Sequence, residues 1–186
     1  MPNFTFQIFA ANNITISQDP NDDLPAEDST FLSDLKNGDT IKWTGGGENA
    51  SITVSDPESV DPDFDEAVSD QTLVGDVTFD GEVYNDGQTV TPTYTINFSG
   101  SDDNDYVMTS LNFSENTNDD LPEIPDAVFW EGSIPPPDTT LTVTSEVNPT
   151  AIGSGTPRDY ETFATCFCAD TQIATASGLV AVQDLG

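Results

Sequence analysis

Two cysteines, Cys166 and Cys168, stand two positions apart near the end of the chain, and no other cysteine is present. A thiolate is both a nucleophile and a soft-metal ligand. A disulfide between the two would close a small strained ring, so the body of the protein is not stapled by disulfides. The chain holds no histidine. A metal-binding Cys-x-Cys would therefore lack further soft ligands, and a cysteine nucleophile would lack an imidazole to activate it. Nucleophile, small buried hydrophobe in a linker and metal ligand are the three readings, with the nucleophile ahead. Hard-oxygen chemistry has its own candidates. Asp102, Asp103 and Asp105 surround Asn104, Asp19, Asp22 and Asp23 surround Asn21, and Asp119 and Asp120 form a third group. Carboxylate and amide oxygens suit calcium, and the first two groups are the expected calcium ligands, against the plainer reading of solvated acidic loops. None has an EF-hand or glycine-rich nonapeptide register. Carboxylates are also dense enough that a pair spaced for glycoside hydrolysis occurs by chance.

Around the first cysteine the types and spacing become specific. Cys166-Phe167 is followed by Thr171, Ile173, Thr175, Gly178, Val180, Val182 and Leu185. This stretch resembles the opening of Hint domains, the self-processing unit of hedgehog proteins, inteins and many bacterial surface proteins. It departs from that family at Asp170, where glycine is usual. The resemblance implies that Cys166 attacks the carbonyl of Thr165, the acyl donor of a scissile bond, and converts the peptide bond to a thioester. It implies a downstream Thr-x-x-His element too, and the sequence stops short of one. Residues 166–186 are accordingly expected to be the N-terminal fragment of such a domain, inert as they stand. Locally, Ile173 starts one strand, Ala176-Ser177-Gly178 forms a turn, and Leu179 to Val182 return.

Upstream, the elements that would carry this unit read as strands. Phe4, Phe6 and Ile8 alternate with Thr5 and Gln7; Ile41 and Trp43, and Ile52 and Val54, repeat the pattern. Val77 and Phe79 lead through Asp80-Gly81 to Val83, a hairpin with a two-residue primed turn. Residues 88–98 give the clearest strand, with Val90, Tyr94, Ile96 and Phe98 on one face; Pro92 on that register predicts an edge or a bulge. Residues 106–113 and 139–145 complete the set, and a short helix is predicted over Ser29–Leu35. Polar, Gly- and Pro-containing loops separate the strands. Asn21-Asp22-Asp23-Leu24-Pro25 recurs as Asn118-Asp119-Asp120-Leu121-Pro122 without a fixed period. The expected fold is all-β, an antiparallel β-sandwich of immunoglobulin-like or jelly-roll-like form with long acidic loops. Residues 1–150 are its passenger module, 151–165 a linker and 166–186 the Hint hairpin.

Charge sets the partners. Lys36, Lys42 and Arg158 face 34 acidic residues, a formal net charge of −31 on 186 residues. A field of that sign repels nucleic acid and anionic membrane surfaces, and suits either high salt or partial neutralisation by divalent cations. Eleven Phe, four Tyr and two Trp in alternating runs argue against disorder. Nothing approaches the about 18–20 apolar residues of a membrane span, and the first residues carry no conventional signal peptide. With the resemblance, the expected location is extracellular or at the cell surface. The expected function is a non-catalytic structural or adhesive module that self-associates or meets other surface proteins. A carbohydrate-binding module, stacking glycans on Trp43, Trp130 and Tyr106, is the alternative. An external-substrate enzyme is disfavoured, since there is no histidine, nucleophile elbow or phosphate loop.

Overall fold

The computed structural model describes residues 3–18, 35–56, 63–64, 71–114, 126–145, 148–149, 158–159, 172–175 and 178–181. Among them there is no α-helix, only a single 3-10 turn at Ala11–Asn13. The strands are β1 (Asn3–Phe9), β2 (Ile14–Gln18), β3 (Thr40–Trp43), β4 (Asn49–Ser55) and β5 (Asp63–Phe64). Then follow β6 (Thr72–Leu73), β7 (Val77–Phe79), β8 (Glu82–Tyr84), β9 (Thr89–Gly100) and β10 (Asp105–Ser114). The last are β11 (Ala127–Glu131), β12 (Thr139–Val143), β13 (Asn148–Pro149), β14 (Arg158–Asp159), β15 (Gln172–Thr175) and β16 (Gly178–Ala181). The helix expected at Ser29–Leu35 and the repeated Asn-Asp-Asp-Leu-Pro segments lie outside the described residues, apart from Leu35, which is buried.

The expectation of an antiparallel all-β body holds, but two separate facing sheets are not what forms. One sheet runs β10-β11-β1-β4-β6-β9 and closes on itself through the β9–β10 ladder, a six-stranded barrel-like ring. It closes narrowly in two places, at Phe9↔Val128 and at Thr72↔Thr89. The far half of β9 also pairs with β12, which carries β3 and β2 outward as an extension of the same sheet. Each core then has a clear origin. Phe4, Phe6, Ile8, Ile52, Val54, Leu73, Val90, Leu111, Phe113 and Phe129 fill the ring. Ile41, Trp43, Ile96, Phe98, Met108, Trp130, Leu141 and Val143 fill a second core.

A single irregularity lets β9 serve both cores. Thr109 pairs with Thr95 and Leu111 with Pro92, so Thr93 and Tyr94 together oppose Ser110. The extra residue on β9 turns its even-numbered side chains from the ring core (Val90) to the second core (Ile96, Phe98). On β10 plain alternation suffices: Tyr106 and Met108 face the second core, Leu111 and Phe113 the ring core. The residues expected to share one face therefore divide between two, and the bulge expected at Pro92 sits directly after it. Ser110 seals the break: its hydroxyl meets Thr93 Oγ1 at 2.6 Å and accepts from the Tyr94 N–H at 3.0 Å. A bulge otherwise strands such an N–H in the interior, at a cost of about 1–3 kcal/mol.

The Asp80-Gly81 hairpin forms as expected. Phe79 pairs with Glu82 across Asp80 (φ 50) and Gly81 (φ 83), the two positive values a primed turn requires. Beyond the body, Asn148–Pro149 pairs with Thr95 and Tyr94 of β9, and Arg158–Asp159 pairs with Phe64 and Asp63. The segment placed as a linker thus carries a short ladder to β5.

Candidate functional site

Cys166 and Thr165 lie outside the described residues, as does Cys168. The strands that follow them are described. Gln172 to Thr175 pair antiparallel with Ala181 to Gly178, with Ile173 opposite Val180 and Thr175 opposite Gly178. Gly178 opens the return strand rather than completing the turn, which leaves two residues, Ala176 and Ser177, to connect the pair. A two-residue connection is the tightest that an antiparallel hairpin uses.

The expected calcium ligands fare differently from one another. Asp19, Asp22 and Asp23 lie outside the described residues. Asp102, Asp103 and Asp105 are exposed in the turn from β9 to β10 and do not converge. Asp102 is committed to that turn. Tyr106 donates its hydroxyl to Asp102 Oδ2 at 2.7 Å and Asn104 Nδ2 donates to the same oxygen at 3.0 Å. The Tyr106 bond, seconded by Asn104, holds the Asp102 carboxyl below its ordinary value, and the same bond raises the Tyr106 phenol. Gly100 is buried beneath: a Cβ there would meet Tyr106 Cε2 at 2.8 Å as well as the Asp102 carboxylate. Among the described residues no group of three or more acidic, cysteine or histidine side chains is placed to hold a metal ion. Stability is nonetheless expected to rise with sodium chloride, because screening relieves self-repulsion among 34 carboxylates. Melting temperatures in calcium and in ionic-strength-matched sodium chloride distinguish the causes: equal gains mean screening, a larger calcium gain means a bound ion.

The three aromatics offered as glycan platforms are core residues. Trp43, Trp130 and Tyr106 are 1%, 4% and 4% exposed. Trp43 and Trp130 meet edge-to-face at 5.1 Å and 81°, with Phe9 against Trp43 at 5.1 Å and 85° and Tyr106 against Trp130 at 6.2 Å and 74°. Perpendicular rings place the positive edge of one against the negative face of the next. No ring face is left for a sugar, so the carbohydrate reading loses the residues it was built on.

Two polar centres had not stood out in the sequence. Asn13, wholly buried, donates from Nδ2 to the carbonyls of Ala10 (3.0 Å) and Glu48 (3.2 Å) and accepts from the Gly47 N–H at 2.6 Å. It joins the turn after β1 to the Gly-rich loop before β4. A Cβ on Gly47 would fall 2.6 Å from Asn13 Nδ2, so glycine is required for that approach. In the sequence this centre is marked only by the glycosylation-type triplet Asn13-Ile14-Thr15, whose asparagine is buried. The second centre is Tyr84, whose ring lies against Phe113 at 4.2 Å and tilted by 37°. Burial first, then the charges of Asp126, Glu82 and Asp80, push its phenol up to about 12.

Asp126 accepts the Phe113 N–H at 2.7 Å, and burial raises its carboxyl despite that bond. A raised folded-state value means that the unfolded chain releases this proton first as pH rises. The stability it contributes is present below the ordinary carboxylate value and lost as pH climbs through the raised one. Asp126→Asn keeps an acceptor for Phe113 and removes the charge. It is expected to stabilise at pH 7, by under about 1 kcal/mol once solvent screening is allowed for, with the gain vanishing in acid. Urea denaturation across that range checks the sign.

Comparison with protein families, with characterised proteins and with solved structures finds no match to this chain. No helix among the described residues is long and apolar enough to cross a membrane.

Proposed function

We propose that the acidic β body is a non-catalytic extracellular or cell-surface passenger, carried ahead of a Hint self-processing unit that opens at Cys166. The observation that carries this reading is the order of parts at the end of the chain. Cys166 follows a Gly- and Pro-containing segment and is followed six residues on by the paired strands β15 and β16. In the reaction, Cys166 Sγ attacks the Thr165 carbonyl carbon, the C–N bond breaks, and the thiol proton ends on the freed Cys166 amine. The acyl group is then held as a thioester, open to a second nucleophile. An amide is the more stable partner in that exchange, so the step needs a lowered thiol pKa or a strained bond. A chain with no histidine must obtain its acid and base from elsewhere in a complete domain.

The passenger itself is read as structural or adhesive. Support comes from a closed sheet whose aromatic side chains are spent on packing. The reading is tested by intact mass spectrometry of the protein extended through a complete Hint domain. A fragment ending at Thr165, or its thiol adduct, is the expected product. A chain that stays whole under thiol treatment overturns the assignment.

A further inference from the structure

The hairpin β7–β8 belongs to no other sheet. Its ladder joins Val77↔Tyr84, Thr78↔Val83 and Phe79↔Glu82, and it stands apart from the ten-stranded sheet. It is nevertheless tied to the ring through its side chains. Phe79 is fully buried and Tyr84 is 9% exposed, both within the ring core, with Val77 packed against it. The hairpin therefore plugs the ring by inserted aromatics rather than by shared backbone bonds.

Its two connections to the ring are alike. The last bonds tying them to the sheet are Leu73 N–H to the Gln88 carbonyl, Gly87 N–H to the Leu73 carbonyl and Val74 N–H to the Thr53 carbonyl, each 2.8 Å. At this border lie Gly75, just beyond Val74, and Gly87, whose own N–H makes one of those bonds and must release Leu73 for the connection to turn. Both are at φ +81 and both have open space where a side chain would be. Across this neck the Gly75 N–H donates to Asp86 Oδ1 at 2.8 Å and the Asp86 N–H to Asp76 Oδ1 at 2.9 Å. A pair of unhindered glycines in the left-handed region lets both connections turn together at little steric cost.

The charges around the plug are of one sign. Asp80 and Glu82 on the hairpin and Asp126 at the start of β11 face Tyr84, while Asp76 and Asp86 sit at the neck. Asp126 stands on the ring side and the other four on the hairpin or its neck, so its repulsion of them acts only while the hairpin is seated, and seating is opposed by a term that salt screens. We propose that β7–β8 is a hinged plug: it swings out of the ring as a unit about Gly75 and Gly87, and ionic strength sets how often it does so. Opening bares the Phe113 ring and the end of the ring core around it, while the closed sheet stays intact.

Hydrogen–deuterium exchange by mass spectrometry tests this on the protein as it stands. At low ionic strength, the amides of 77–84 are expected to exchange together, about 100-fold faster than those of β1, β4 and β10. Raising sodium chloride to about 1 M is expected to slow the hairpin about tenfold more than it slows the ring. The double variant Glu82→Gln, Asp126→Asn is expected to remove most of that difference. Hairpin amides that exchange at the ring's rate would overturn the plug. A salt response equal in hairpin and ring, or one that persists undiminished in the double variant, would overturn its control by charge.

Discussion

Replacing Asn13 by alanine is expected to destabilise the body by about 2–4 kcal/mol, large for a single substitution. The side chain is wholly buried and makes three hydrogen bonds. The carbonyls of Ala10 and Glu48 each keep another donor, from the backbone N–H of Asn13 and of Ala10. The Gly47 N–H, half-buried, loses its acceptor without such a substitute, which is the costlier half of the loss. Asn13→Asp gives a second, independent reading of the same site. It keeps the shape but sets an anion against two carbonyl oxygens. It is expected to be the worse variant at pH 7 and to recover as pH falls and the carboxyl takes up a proton. Denaturant unfolding of both variants at pH 7 and in mild acid decides it. An alanine variant within about 0.5 kcal/mol of wild type would mean that the Gly47 loop relaxes away and the network carries little.

Much of the fold was legible in the sequence because much of it is half-buried strand. β1, β3, β4 and β10 show their alternation, and the Asp80-Gly81 turn shows itself by the residues that positive φ demands. β11 did not. Its run Ala127-Val128-Phe129-Trp130 is apolar at every position, and all four side chains are buried. The reason is topological: Ala127 and Phe129 face the ring core, Val128 and Trp130 the second core. A strand covered on both faces has no period to read. The same strand closes the ring between β10 and β1, so missing it also hid the closure and left a sandwich as the natural expectation.

The polar centres were less legible for a different reason. Asn13, Tyr84 and Asp126 matter through partners such as Gly47 and Phe113 that lie 13 or more residues away, and neither composition nor local spacing carries that information. The acidic clusters erred in the opposite direction. Asp102 stands among carboxylates in sequence, yet Tyr106 and Asn104, each within four residues, draw it into a turn. Local side-chain bonds of this kind compete with any ligand for the same oxygens.

Cys166→Ala, in the protein extended through a complete Hint domain, is expected to abolish cleavage altogether, because it removes the atom that forms the thioester. Cys168→Ala is expected to leave cleavage in place, since that thiol follows the scissile bond by two further residues and would have to form a larger ring to reach the Thr165 carbonyl. The 186-residue chain is expected to stay intact with either residue present. A thiol near its ordinary value of about 8.5 is mostly protonated at neutral pH, and nothing in a chain without histidine is placed by sequence to protonate the departing amine. Intact mass spectrometry of the extended protein, both variants and the 186-residue chain, with and without an added thiol, gives each outcome as a discrete mass. Cleavage that survives Cys166→Ala, or that is lost instead in Cys168→Ala, would move the nucleophile or dismiss it. The β15–β16 hairpin would then be an ordinary strand pair.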